Sequence, residues 1–86
     1  MILTYLQSRP TILSLIETMS DRINRIKEIL VIKGHTQKWL AGEMGISTTA
    51  MTLICNNKSQ PHLKDLKRMA KILEVDIREM LVSTLD

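Results

Sequence analysis

Residues that start and stop helices divide this chain into short segments. Thr36 and Ser47 can each cap the start of a helix, and Gly34 and Gly45 can each end one. Between them, apolar residues recur at helical spacing. Aromatic residues are only 2% of the sequence, with two prolines and three glycines, a composition that favours helices over a β-sandwich or barrel. The 86 residues therefore predict one small all-α domain, with no room for two cores.

The same pattern predicts where each helix lies. Helices are expected over residues 21–33, 37–44, 48–56, 63–73 and 76–81. Ser20 is expected to cap the first helix, and Asp76 with Glu79 forms the acidic version of a capping box that opens the last one. Asn57 is expected to close the third helix in the left-handed conformation, which asparagine tolerates better than most residues.

The first 19 residues lie outside this pattern. Apolar residues after Pro10 predict a further helix, so the chain divides into an apolar N-terminal extension, residues 1–19, and a domain, residues 20–86. Either Met19 is the true start, or the extension packs on the domain or on a second copy. The extension lacks a basic leader, a cleavage site and the length of a membrane span. We therefore expect no membrane anchor. Because Cys55 is the only cysteine, we also expect no disulfide and a cytoplasmic location.

Residues 37–54 have the pattern of two helices that meet at a tight turn. Ala41 is small where the helices would cross, and Gly45 lies where the chain must turn with positive φ. The larger apolar residues would point into a shared core: Leu40, Ile46, Met51 and Ile54. The second helix would present polar residues outward: Ser47, Thr48, Thr49 and Thr52. Such a helix fits the major groove of B-form DNA, with its N-terminal residues nearest the base edges.

This segment resembles the helix-turn-helix domains of the phage-repressor family, also called the Cro-repressor or XRE type. Gln37 begins the motif, Ala41 and Gly45 take its small-residue positions, and Met51 and Ile54 take its apolar ones. The resemblance implies a compact five-helix, lambda-repressor-like domain that binds double-stranded DNA. It further implies a sequence-specific transcriptional regulator that acts as a repressor and as a homodimer on a two-fold site.

The resemblance also implies a role for each polar residue of the motif. Four residues would face the bases in the major groove: Ser47, Thr48, Thr49 and Thr52. Five would contact the sugar-phosphate backbone or attract it: Gln37, Lys38, Asn57, Lys58 and Lys64. Gln37 would in addition brace the second helix of the motif, here called the reading helix, and the lysines would act through their charge.

The charge distribution fits a nucleic-acid partner. The formal net charge is +3. From Lys33 to Lys71 there are seven basic residues against only Glu43 and Asp65, whereas the chain after Lys71 is mostly acidic. A basic region concentrated in the centre of the domain is the electrostatic signature of a nucleic-acid-binding face.

The reading helix departs from the family pattern because no Arg, Gln or Asn stands at its front. Leu53 lies where the family often has a long polar or basic residue. Threonine and leucine offer methyl groups to thymine, but a hydroxyl has only a short reach for hydrogen bonding. We therefore expect modest direct readout of bases, with help from DNA shape or from contacts outside this helix.

A protein-interaction module of the same fold is the alternative to a DNA-binding regulator. An example is the antitoxin of a toxin–antitoxin pair, in which the toxin would contact the N-terminal extension, or Leu53 and Trp39. The two interpretations can coexist, because antitoxins of this family often bind their own promoters.

Catalytic and cofactor chemistry is not expected. The chain has no glycine-rich phosphate loop, no nucleophile motif with a base and no acidic cluster for a metal. His35 and His62 have no Cys or acidic partner at the spacing of metal ligands. Cys55 is expected to be a small, partly buried residue and not a redox switch.

Overall fold

The architecture is all-α in the computed structural model, which describes residues 22–85. In this range it contains four α-helices and one 3-10 helix: α1 (Ile26–Lys33), α2 (Gln37–Met44), α3 (Thr48–Cys55), α4 (Leu63–Leu73) and the 3-10 helix (Ile77–Met80). The fifth helix predicted for the domain is thus a single 3-10 turn. The helix predicted in the N-terminal extension lies outside the described residues.

Helices α2 and α3 begin where their cap residues predict. Thr36 Oγ1 accepts a hydrogen bond from the Trp39 N–H at 3.0 Å, and Ser47 Oγ accepts one from the Ala50 N–H at 3.0 Å. Each bond satisfies an amide that the first turn of a helix leaves without a partner inside the helix. Helix α4 also has its predicted bounds, although its cap residue His62 makes no side-chain cap bond.

Helix α1 begins at Ile26, so the predicted start at residue 21 is wrong. The chain before it is extended, and Asn24 forms an isolated antiparallel bridge with Leu81. Val82 N–H donates to the Ile23 carbonyl at 2.8 Å, and Arg25 N–H donates to the Met80 carbonyl at 2.8 Å. These long-range bonds use the backbone groups that an earlier helix start would have needed.

The last element differs from the predicted helix for a related reason. Asp76 does cap it, but its carboxylate accepts from the Arg78 N–H at 2.8 Å, and Glu79 N–H donates to the Asp76 carbonyl at 2.9 Å. This i to i+3 bond belongs to a 3-10 turn. The turn ends at Leu81, whose backbone is extended and pairs with Asn24.

One core joins all of these elements. Each helix contributes a buried apolar stripe, as helical periodicity requires. The least exposed large side chains are Ile26, Leu30, Leu40, Met51, Met69, Leu73 and Met80. Three of the four predicted core residues of the central segment are buried, and the fourth, Ile46, is half-buried against the same cluster. Packing on one side leaves the opposite face of α3 open.

Candidate nucleic-acid interface

The turn between α2 and α3 has the geometry that its sequence predicts. Gly45 adopts φ 71°, the left-handed region that glycine enters without penalty. Its N–H donates to the Gly42 carbonyl at 3.2 Å, and the Ile46 N–H donates to the Ala41 carbonyl at 3.0 Å. These bonds close the end of α2 in three residues, before Ser47 caps α3.

The two helices pack closely through small and aliphatic side chains. Ala41 is only 1% exposed, and Leu40 and Met51 are fully buried. Ala41 has no side chain beyond Cβ, so a neighbouring helix can approach α2 closely there. Helices α2 and α3 are in contact, and the location of their crossing at Ala41 stays a prediction.

The outward face of α3 carries most of the residues predicted to read bases. Ser47, Thr48 and Thr49 are exposed in and just before its first turn, while Thr52 is half-buried one turn later. Leu53 beside it is 42% exposed. The buried residues of α3 lie on the other side, so this face is open at the exposed positions Ser47, Thr48, Thr49 and Leu53.

A side-chain hydrogen bond braces this face from α2. Thr52 Oγ1 donates to Gln37 Oε1 at 3.2 Å, and it also contacts the Thr48 carbonyl at 3.0 Å. A threonine hydroxyl has one proton, which these two acceptors share. The structure thus brings Gln37 and Thr52 together, as the predicted bracing role requires. It also gives the Thr52 hydroxyl an intramolecular partner.

The loop after α3 is closed by the left-handed residue that the sequence indicates. Asn57 has φ 60°. Its N–H donates to the Ile54 carbonyl at 3.0 Å, and the Lys58 N–H donates to the Leu53 carbonyl at 2.9 Å. These bonds satisfy carbonyls at the end of α3 and place Lys58, which is exposed, immediately beyond the reading helix.

The side chain of Asn57 is engaged by the segment before α1. Its Oδ1 accepts from the N–H groups of Ile23 and Asn24 at 2.8 Å each, and its Nδ2 donates to the Asn24 carbonyl at 3.1 Å. Both ends of the amide are therefore used inside the protein. The predicted phosphate contact of Asn57 remains a prediction, and what the structure shows is an anchor for the loop that carries Lys58.

Asn24 completes this anchor and was missed in the sequence. It is 1% exposed; its Nδ2 donates to the Ile54 carbonyl at 2.9 Å and to Gln60 Oε1 at 2.8 Å, and its Oδ1 accepts from the Ile26 N–H at 3.1 Å. Asparagine side chains often bond to the backbone two residues further on, as Asn24 does here, and this local preference is a signal in the sequence.

The predicted basic residues are accessible. Lys38 at the start of α2, Lys58 after α3 and Lys64 in the first turn of α4 are exposed, and within residues 22–85 none of them pairs with a carboxylate. No hydrogen bond among the described residues joins Lys64 to α3. Lys27, which no pattern in the sequence singles out, lines a depression at the C-terminal end of α3 together with Arg22 and Lys58. Arg22 is ion-paired with Glu28.

Trp39 and His35 form a stacked pair beside the start of α2. Their ring centroids are 3.8 Å apart and the rings are inclined by 12°. Trp39 is half-buried against the core, so it lies at the rim of the core.

Other chemistry is sparse in the described part of the chain. No group of three or more His, Cys, Asp or Glu residues in it is placed to hold a metal ion. Cys55 is buried, and this desolvation raises the pKa of its thiol. Among the described helices, none has the length and hydropathy needed to cross a membrane.

Comparison with known proteins agrees with this geometry. A helix-turn-helix family model matches residues 26–80. The chain is also similar to the crystal structure of a candidate DNA-binding protein from Bacteroides fragilis, with a TM-score of 0.69 and 43% identity. That match covers 70% of this chain and 97% of the other. No curated protein matches the sequence.

Proposed function

This chain belongs to the helix-turn-helix family of the Cro-repressor or XRE type, and on that premise we propose that it is a DNA-binding transcriptional regulator. It reads the major groove of duplex DNA with the outward face of α3. The observation that carries the proposal is the exposed first turn of α3, capped by Ser47 and braced by the bond between Gln37 and Thr52. The description of the Bacteroides fragilis relative as a candidate DNA-binding protein supports it.

Four residues of α3 and its cap are proposed to lie nearest the bases: Ser47, Thr48, Thr49 and Thr52. They occupy the N-terminal cap and the outward face of a helix whose first turn is exposed. The N-terminal end of a helix carries partial positive charge and unpaired N–H groups, so it favours an approach to the negatively charged duplex. The rigid turn at Gly45 keeps this end in one orientation relative to α2.

Five residues are proposed to contact the sugar-phosphate backbone or to support that contact: Gln37, Lys38, Asn57, Lys58 and Lys64. Gln37 accepts from Thr52 through Oε1, which leaves its Nε2 protons to donate to a phosphate oxygen. Asn57 acts by holding the loop of Lys58, since its own amide is engaged. The three lysines supply charge whose interaction with phosphate releases counterions and makes affinity depend on salt.

A homodimer acting as a repressor is the proposed working form. One helix-turn-helix unit buries a small interface with DNA, and two copies on a two-fold site gain affinity together. Val31 and Ile32 are neighbours on α1 and are 74% and 70% exposed. We propose that they lie in the contact between the two copies. A toxin-like protein bound at the same residues is the second candidate function.

Fluorescence anisotropy with a pool of labelled duplexes tests the DNA-binding proposal. The full chain is expected to bind with a log–log salt slope of about −2.7 per protomer for three lysine contacts, at about −0.9 each. Lys58→Ala should therefore flatten the slope by about 0.9. No saturable binding at low salt contradicts the proposal.

A pair of substitutions with the same charge change tests the assignment of the face. Thr49→Asp introduces a negative charge in the first turn of α3. A negative charge is stabilised there by the helix dipole, so the fold is expected to be retained. It is expected to weaken DNA binding at least about ten-fold, since like charges at an interface cost several kcal/mol. Thr84→Asp, at an exposed position outside α2 and α3, is the matched control. Equal effects of the two substitutions contradict the assignment.

A further inference from the structure

The outward face of α3 carries threonines and one leucine, without a charged or amide side chain. No Arg, Lys, Asn, Gln, Asp or Glu occurs between Thr48 and Cys55. Leu53 is 42% exposed, in line with Thr49 and Thr52 on the outward face. The apolar part of this surface is therefore set among hydroxyls and not within a large apolar patch.

The hydroxyl proton of Thr52 is already used within the protein. Its oxygen is within hydrogen-bonding distance of the Thr48 carbonyl and of Gln37 Oε1. Donating this proton to a base would break the brace between α2 and α3, so the hydroxyl can meet a base only as an acceptor. The methyl group is the apolar group that Thr52 can offer to a partner, beside the isobutyl group of Leu53.

In the major groove, the C5-methyl of thymine is the one apolar group that a base presents. For a helix that lacks bidentate donors and presents methyl groups, the binding affinity should be highest where these methyl groups contact those of thymine. Each methyl group removed from water contributes about four-fold in affinity. Resting on the proposed function, we infer that α3 recognises its site through thymine methyl groups, with Leu53 as the main specificity-determining residue and Thr52 beside it.

A protein partner on Leu53 is the competing explanation. The neighbours of Leu53 on the outward face are threonines, and the basic Lys58 follows α3 directly. A single leucine among hydroxyl groups is too small for a protein-docking patch. The positive charge of Lys58 instead matches a polyanion.

The test removes single methyl groups from the DNA. A preferred duplex is first selected from a random library with the full 86-residue chain. Each thymine of the selected half-site is then replaced by deoxyuridine, which pairs identically but lacks the C5-methyl. Anisotropy at constant salt is expected to show a loss of about four-fold at one or more positions.

A coupling measurement assigns the methyl contact to a side chain. In Leu53→Ala, the deoxyuridine effect at one position is expected to fall to less than about two-fold, because the partner of that methyl group is gone. Leu85→Ala removes the same atoms from a leucine that is 94% exposed near the C-terminus, and it should keep the full effect.

The outcomes separate this inference from the proposed function. A selected site without thymine, or deoxyuridine effects below two-fold at every position, overturns the inference while DNA binding stands. The inference is also overturned if Leu53→Ala retains every deoxyuridine effect. A variant that keeps these effects and loses only its binding to a protein counts as this result. Failure to select any duplex overturns the proposed function and the inference with it.

Discussion

Replacing Asn24 with alanine is expected to destabilise the domain strongly, although Asn24 lies outside every helix. The substitution removes three hydrogen bonds, to the Ile54 carbonyl, the Gln60 side chain and the Ile26 N–H. The Ile54 carbonyl keeps the Asn57 N–H as a donor at 3.0 Å, and Gln60 is exposed to water. The Ile26 N–H lies in a fully buried residue and loses its side-chain acceptor.

The expected cost follows from these differences. One buried N–H without a partner costs about 1–3 kcal/mol, and the lost bonds to the other two partners together remove about 1 kcal/mol more. The free energy of unfolding should therefore fall by about 2–4 kcal/mol. For a domain of this size, each kcal/mol corresponds to about 4–8 °C in the melting temperature, so a fall of at least about 8 °C is expected.

Urea unfolding followed by circular dichroism measures the effect, with Asn56→Ala as the matched control. Asn56 is exposed, and its side chain makes no hydrogen bond within residues 22–85. Its replacement should stay within about 0.5 kcal/mol of the unsubstituted protein. If the two asparagine variants unfold at the same urea concentration, the hydrogen bonds of Asn24 do not stabilise the fold.

Three further predictions concern the backbone, the cysteine and the acid dependence. Gly45→Ala should lower the free energy of unfolding by about 1–2 kcal/mol because φ is 71° there. Gly42→Ala, in helical backbone with open space around it, should raise it by about 0.5–1 kcal/mol; urea unfolding of the two variants should show opposite signs. Burial raises the pKa of the Cys55 thiol, so a thiol reagent should modify it far more slowly in the folded than in the unfolded protein, and equal rates contradict the burial. Hydrogen bonds from the Arg78 side chain and backbone lower the pKa of the Asp76 carboxyl below its ordinary value of 3.8. The ionised carboxylate therefore stabilises the folded state above that value, and this stabilisation is lost as pH falls through the lower folded pKa. In an NMR titration, the midpoint of Asp76 should move upward in Arg78→Ala.

The sequence predicted best those elements whose ends are set by neighbouring residues. Thr36, Gly45 and Ser47 act on amides and carbonyls within one helical turn, and α2 and α3 begin as expected. The left-handed conformation of Asn57 was likewise predictable, because it depends on the chemistry of that residue. Only the half-buried state of Ile46 departs from the predicted core of this segment.

The prediction failed where distant parts of the chain pair. The start of α1 and the nature of the last turn are decided by contacts between the segments around Asn24 and Leu81, which nothing local in the sequence reveals. The same holds for the side chain of Asn57, whose partners Ile23 and Asn24 precede it by more than 30 residues. The exposed face of α3 was predictable by periodicity, whereas the intramolecular use of the Thr52 hydroxyl was not.

Selection of bound duplexes from a random DNA library, with the full chain and Thr49→Asp compared at the same low salt, shows whether α3 reads DNA. The unsubstituted chain is expected to enrich one sequence in two half-sites about one helical turn, 10–10.5 base pairs, apart, and the variant is expected to lose this enrichment. A chain that enriches no sequence, or a variant that enriches the same sequence equally well, would contradict the claim that α3 reads DNA.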